Sequence, residues 1–330
     1  MTAVINPQLT TALRRAAVRA TRAPSVHNTQ PWRFVLTPDS LEIHADWRRQ
    51  LRVLDPRGRQ LLLSCGCALF NARVALAASG YDAEVDRFPD PVRPDLLARI
   101  VVDDSHGPDE AALATLDPSI DERHTNRRQF SEDVVPEHVM AALFAAANME
   151  GADVFPVVLP AHRLAAARLS QQADQIESLD PAYRAELRAW TTDDLRRADG
   201  VPASAVPHVD AGAQDDLPIR DFDTHGIGWL PTRTRSSVNQ CLLLLGTTEN
   251  NSMAWLRAGE ALERMLLEVT RRGYAASPLT QVIEVALTNE LLRYELRLRM
   301  NPHVLLRVGR APAMLATRRR RLVDVITEAE

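Results

Sequence analysis

Two alanine-rich helical stretches in this chain carry glycine at matching places. Gly66-Cys67-Ala68-Leu69 is followed, where its helix should end, by Gly80-Tyr81. Gly259-Glu260-Ala261-Leu262 is followed at the same spacing by Gly273-Tyr274. A glycine inside a helix costs about 1 kcal/mol relative to alanine, so two at equivalent positions call for a shared reason. Close approach of two helices supplies one. In both cases a strand-like run comes somewhat later. Coincidence between two alanine-rich helices would leave the same trace, but the pattern favours two degenerate copies of one α+β unit, packed on each other as the halves of a dimer would be.

The flanking signals fill in each copy. Small apolar residues at helical spacing mark Ala12 to Ala20, and Pro24 enforces a stop. Arg33 to Leu36 and Leu41 to Ala45 read as a hairpin around Thr37-Pro38-Asp39-Ser40. Asp55-Pro56 offers an N-cap and first turn for the first glycine-bearing helix, and strands are expected at Ala83–Phe88 and Leu97–Val102. The second copy reads as a helix from Pro136 to Ala147, a strand at Val154–Leu159, helices across Ala161–Ala189, a strand at Asn239–Gly246, a helix from Ser252 to Arg272 and a strand at Val304–Val308. The units divide as 1–115 and 116–330. Residues 199–235 break the run of short connections: they are polar, rich in proline and glycine, and carry Phe222 and Trp229. A connection this long is usually a lid or a binding loop; a surface excursion is the other reading.

Hydrophobic residues make up 45% of the 330, enough for a sizeable core, and a net charge of -4 gives no global reason to expect nucleic acid. No apolar run reaches the roughly 20 residues of a membrane helix, and MTAVINPQLT has no basic segment leading into an apolar one. Three cysteines, two of them in a helix, argue for a reducing, cytoplasmic setting. Cys65-x-Cys67 is too tight for a zinc knuckle, so no metal site is expected. P-loop, dinucleotide-fold, serine-elbow and zincin signatures are missing as well.

Three segments carry chemistry instead. In Arg22-Ala-Pro-Ser-Val-His-Asn-Thr-Gln-Pro-Trp-Arg33, two prolines brace the backbone around Ser25, Asn28 and Gln30, a polar edge suited to a planar heterocycle with alternating donors and acceptors. An ordinary helix-to-strand connection would look similar. Arg123-His-Thr-Asn-Arg-Arg-Gln-Phe130 offers guanidinium groups and a hydroxyl for a phosphomonoester, or a solvated arginine patch. Gly273-Tyr-Ala-Ala-Ser-Pro-Leu-Thr-Gln281 follows the second glycine-bearing helix, with Pro278 fixing the backbone before a further helix whose first N–H groups favour an electron-rich partner.

In this order the segments resemble the nitroreductase family, and most closely its Acg branch, in which two nitroreductase-like units are fused. The resemblance spans almost the whole chain and implies an α+β nitroreductase-like fold built as an intramolecular pseudo-dimer. By motif, Pro24, Ser25, Val26 and Asn28 match the strip along the flavin ring and ribityl chain. Arg123, His124 and Thr125 match the basic phosphate-side triplet contributed by the other subunit of a dimer. Pro278, Leu279, Thr280 and Gln281 match the backbone beside the reactive edge of the ring, and Arg319, with Arg320 beside it, matches the C-terminal phosphate-binding arginine. Arg233 falls near a basic flavin contact, and 199–235 falls where that branch forms a lid.

The resemblance implies FMN as cofactor, NAD(P)H as reductant, and a small electron-poor acceptor such as a nitroaromatic or quinone. No side chain is assigned proton transfer, and neither a nucleic acid nor a membrane is implied as partner. Parts for one flavin site are present, so a monomer suffices. The glutamate common at the position of Thr280 is missing. That departure, with the lid-like insertion, keeps open a non-catalytic protein that stores or sequesters FMN.

Overall fold

The computed structural model describes residues 6–103, 108–128, 130–192, 194, 196–202, 240–314 and 316–328. The first half runs α1 (Pro7–Ala20), β1 (Trp32–Leu36), β2 (Ser40–Ala45), α2 (Arg59–Ala77), β3 (Asp82–Arg87) and β4 (Leu96–Asp103). The second half runs α5 (Glu137–Met149), β5 (Asp153–Pro156), β6 (Cys241–Thr247), α8 (Ser252–Arg271), β7 (Ala275–Leu279) and β8 (Asn301–Gly309). In between lie α3 (Pro108–Ala114) and α4 (Asp117–Glu122). Set between β5 and β6 are α6 (Pro160–Leu179) and α7 (Pro181–Trp190); α9 (Gln281–Glu284) and α10 (Ala286–Glu295) separate β7 from β8.

The duplication expected from the glycines extends to sheet topology. Strand order is β3-β4-β2-β1 in one sheet and β7-β8-β6-β5 in the other, every one of these pairs antiparallel. The first sheet gains a fifth strand, β9 (Ile326–Glu328), parallel to β1 through Phe34↔Ile326. The chain's last segment therefore crosses from the second sheet back to the first.

Helices α2 and α8 cross at the two glycines. A Cβ on Gly66 would lie 2.1 Å from Leu256 O, and one on Gly259 2.1 Å from Leu63 O, so only glycine permits the contact. Both helices also end alike. Gly80 and Gly273 take φ of 82° and 73°, and Tyr81 N and Tyr274 N return to Leu76 O and Val269 O at 3.1 and 3.0 Å. This is the six-to-one closure that a left-handed glycine permits.

The core is continuous through both halves, from Phe34 and Ile43 of the first sheet, through Leu62, Leu69, Leu256 and Met265 of the crossing helices, to Leu245 and Leu306 of the second sheet. By length and hydropathy α2 could cross a membrane, yet here it is buried against α1, α8 and the first sheet. Beside the crossing, Glu260 is fully buried and accepts from Arg73 Nη1 and from Arg87 Nε and Nη2 at 2.7–2.8 Å; Glu150 accepts from Arg73 and Arg264.

Local boundaries differ from the sequence reading in instructive ways. Asp55 is not the N-cap of α2. Gly58 (φ 74°) holds that place, and Asp55 Oδ2 instead reaches Leu61 N at 2.9 Å. Pro278 does stand just ahead of a helix, α9, but it also lies inside β7, a strand the sequence reading lacked; β7 is an edge strand, where a missing N–H is tolerated. The strand expected at Val154–Leu159 stops at Pro156, and Asn239 lies outside the described residues.

Candidate functional site

Two adjoining cavities open between the halves. The first encloses about 830 Å³, part of it open to solvent. Its floor is Gln60, Leu63, Ser64 and Cys67 of α2, with Leu262 of α8 and Val304 of β8; Pro24 to His27 and Ser277 to Gln281 form its sides. The second, about 530 Å³, holds Asn28, Arg123, His124, Thr317 and Arg319. Pro24, Ser25, Thr125 and Arg127 line both, so the two cavities adjoin.

Each wall has a local cause. Pro24 and Pro31 bracket a strip in which His27, Asn28 and Gln30 all take positive φ, near 50°. Such backbone costs roughly 1–3 kcal/mol per residue and persists only where neighbours hold it. They do so here. Ser25 Oγ accepts from Gln30 N at 2.9 Å, and Asn28 Nδ2 donates to Gly200 O and Arg318 O at 3.1 and 3.2 Å. Gln30 Nε2 donates to Ala198 O at 2.8 Å, and its Oε1 accepts from Arg320 N at 2.8 Å. The amides of Asn28 and Gln30, expected to face a heterocycle, thus tie segments 198–200 and 318–320 to the strip. Arg123 to Thr125 follow α4 and dock on β7, where Thr125 bridges Ala276 and Asn126 N donates to Ala276 O at 2.9 Å.

The second cavity is strongly cationic. Arg123 is 4% exposed; its Nη2 reaches Arg22 O at 3.4 Å, and neither Nε nor Nη1 makes a hydrogen bond among the described residues. Arg319 donates to backbone oxygens of Thr21, Arg22 and Ala23 and to Thr317 Oγ1. Burial, then repulsion from Arg123 and Arg22, pushes its guanidinium down to about 9, still charged at neutral pH. His124 is held below the usual imidazole range by burial and by Arg123, Arg319 and Arg22. In the first cavity, Gln60 Nε2 and Ser277 Oγ are buried without hydrogen bonds among the described residues.

Of the residues singled out from sequence, Pro24, Ser25, Val26, Thr125, Pro278, Leu279, Thr280 and Gln281 line the first cavity. Asn28, Arg123, His124 and Arg319 line the second. Gln281 directs its amide to Asp174 Oδ1 and Glu177 Oε2, both at 2.9 Å, behind the cavity wall. Arg320 lines neither cavity and donates to Gln30 O and Asp324 O. Arg233 and residues 203–235 of the expected lid lie outside the described residues. Sequence reasoning missed Arg127 and Ser277, although each stands in a segment it singled out, and the floor residues Gln60 and Ser64, which carry no local signal.

Comparison with known proteins gives this geometry a context. No family model matches the chain. A Mycobacterium tuberculosis protein named "Putative NAD(P)H nitroreductase" is 38% identical over 319 residues, spanning 95% of this chain and 90% of the relative. Another, named "Putative NAD(P)H nitroreductase acg", is 32% identical over 309 residues, spanning 93% and 91%. Among solved structures, one described as a "putative nitroreductase" from Anabaena variabilis covers 94% of this chain and 90% of its own at a TM-score of 0.55. At 11% identity that likeness concerns the fold alone.

Proposed function

Because this chain belongs to the nitroreductase family, in its Acg-like branch, we propose that its joined cavities hold one flavin mononucleotide. On this reading the protein is an NAD(P)H-dependent oxidoreductase serving a small electron-poor acceptor, a nitroaromatic or a quinone. The observation that carries the reading is the meeting of a proline-braced strip from one half with an arginine cluster from the other around two adjoining cavities.

The residues present suit such a group at both ends. Arg123 and Arg319 would hold the phosphate, with Thr125 beside them; Nε and Nη1 of Arg123 make no hydrogen bond among the described residues and can donate to it. Leu63, Cys67, Leu262 and Val304 give an apolar floor for a planar ring, while Gln60 Nε2 and Ser277 Oγ offer unmatched polar atoms. When bound, the flavin supplies the hydride and electron chemistry that side chains lack. This chain's part is to bind, to exclude water from the floor, and to place cations at Arg123, Arg127 and Arg319, where negative charge is received. No residue is assigned proton transfer. Both halves of the site come from one chain, so a monomer suffices, and the three unpaired cysteines suit the cytoplasm.

Purified protein should be yellow, or become so with FMN, and should bleach on anaerobic mixing with NADPH or NADH. A protein that shows no flavin absorbance after soaking with FMN would refute the reading. One that stays yellow with both reductants would leave a flavin carrier in place of a catalyst.

A further inference from the structure

Glu263 of α8 is fully buried, and neither carboxylate oxygen accepts a hydrogen bond within 3.5 Å among the described residues. Arg123 Nε stands 3.6 Å from its Oε1. A buried guanidinium that lines the cationic cavity and a buried carboxylate behind it thus face each other, close enough to attract and too far apart to bond. A committed structural ion pair would close that gap, because burying two charges is repaid only by good geometry and full hydrogen bonding.

We propose that Glu263 is a proton-exchanging counter-ion of Arg123. With no anion in the cavity the carboxylate balances the guanidinium. When a phosphate monoester takes the guanidinium, the carboxylate takes one proton from solvent and becomes a neutral carboxylic acid, so binding is coupled to proton uptake. This rests on the cofactor reading above.

The surroundings fit the exchange. Burial pushes the Glu263 carboxyl up to about 7 against the pull of Arg123, Asn71 and Arg319, so it sits where a nearby dianion tips it. The other groups facing it are Cys67 and Asn71 from α2 and Arg319 from the C-terminal segment. The Cys67 thiol stays protonated, because burial raises it well above its ordinary range, and Arg319 stays cationic. His124, beyond Arg123, is the other group able to take a proton when a dianion arrives.

The experiment is calorimetric titration with FMN at pH 8 in two buffers of different ionisation enthalpy, with riboflavin as the probe lacking phosphate. Uptake approaching one proton per FMN and none with riboflavin is expected. Affinity for FMN should weaken toward tenfold per pH unit above pH 7. Glu263→Gln should abolish the uptake and flatten that slope; His124→Gln, whose FMN affinity falls because it lines the cavity, should still take up the same number of protons per FMN bound. Unchanged uptake in Glu263→Gln, or its loss in His124→Gln, overturns the proposal; should Glu263→Gln not fold, the His124→Gln result decides. FMN binding to the wild type without uptake removes only the coupling. Absence of FMN binding between pH 6 and 9 removes the cofactor reading and the coupling with it.

Discussion

Replacing Gly259 with alanine tests whether the helix crossing sets the shape of the cavities. The added methyl would sit 2.1 Å from Leu63 O and 2.9 Å from the Gly66 Cα. Reaching ordinary contact requires α2 and α8 to part by roughly 1 Å, and a backbone carbonyl cannot swing aside as a side chain can. Overpacking of this kind costs about 1–3 kcal/mol. Alanine's better helix propensity returns about 1 kcal/mol. With the obstacle in the backbone the upper end applies, and we expect a net loss of about 2 kcal/mol by urea denaturation. Floor residues Gln60, Leu63 and Ser64 ride on α2 and Leu262 on α8, so FMN affinity should fall too. Gly66→Ala presses on the same crossing, so the double variant should lose less than the sum of the singles. A Gly259→Ala protein as stable as wild type, or more so, would refute the argument, because propensity alone predicts that gain.

Further predictions concern the site and its supports. Arg319→Ala should weaken FMN binding about 10- to 150-fold, the 1.5–3 kcal/mol of a charge-assisted contact, and leave riboflavin affinity nearly unchanged in a fluorescence titration; equal loss for both would point to general damage. Asn28→Ala removes the bonds to Gly200 O and Arg318 O and should speed limited proteolysis near residue 200, mapped by mass spectrometry, with a stability loss of about 1–2 kcal/mol. Burial raises the Asp55 carboxyl from 3.8 to about 6, so the native state holds its proton more tightly than the unfolded chain. That contribution, on the order of 3 kcal/mol, is complete below pH 4 and lost as pH rises through 6. Asp55→Asn should flatten the stability profile between pH 4 and 6, and an unchanged slope would show that another group is responsible.

What the sequence made legible was local or repeated. Gly80 and Gly273 announce helix ends because only a left-handed residue closes them, and Gly66 and Gly259 announce a crossing because no other side chain fits it. Proline brackets and an arginine run likewise write their chemistry into neighbouring residues. The rest depends on contacts between distant segments. Nothing near Asn28 signals that its amide reaches Gly200 and Arg318, and nothing near Glu263 signals that Arg123 stands opposite. The strand at Ala275–Leu279 stayed hidden because a proline argues locally against a strand, and only its edge position, set by the whole sheet, tolerates the missing donor.

In a pair of identical chains, any residue beside the two-fold axis is inherited by both partners, and a change that suits one place is imposed on the other. Joining the copies in a single polypeptide lifts that restriction. Counting from the paired glycines, Cys67 and Glu260 hold matching places on α2 and α8, yet the cysteine floors a cavity while the glutamate is locked by Arg73 and Arg87. With both halves in one chain, a mutation in one has no twin to answer for.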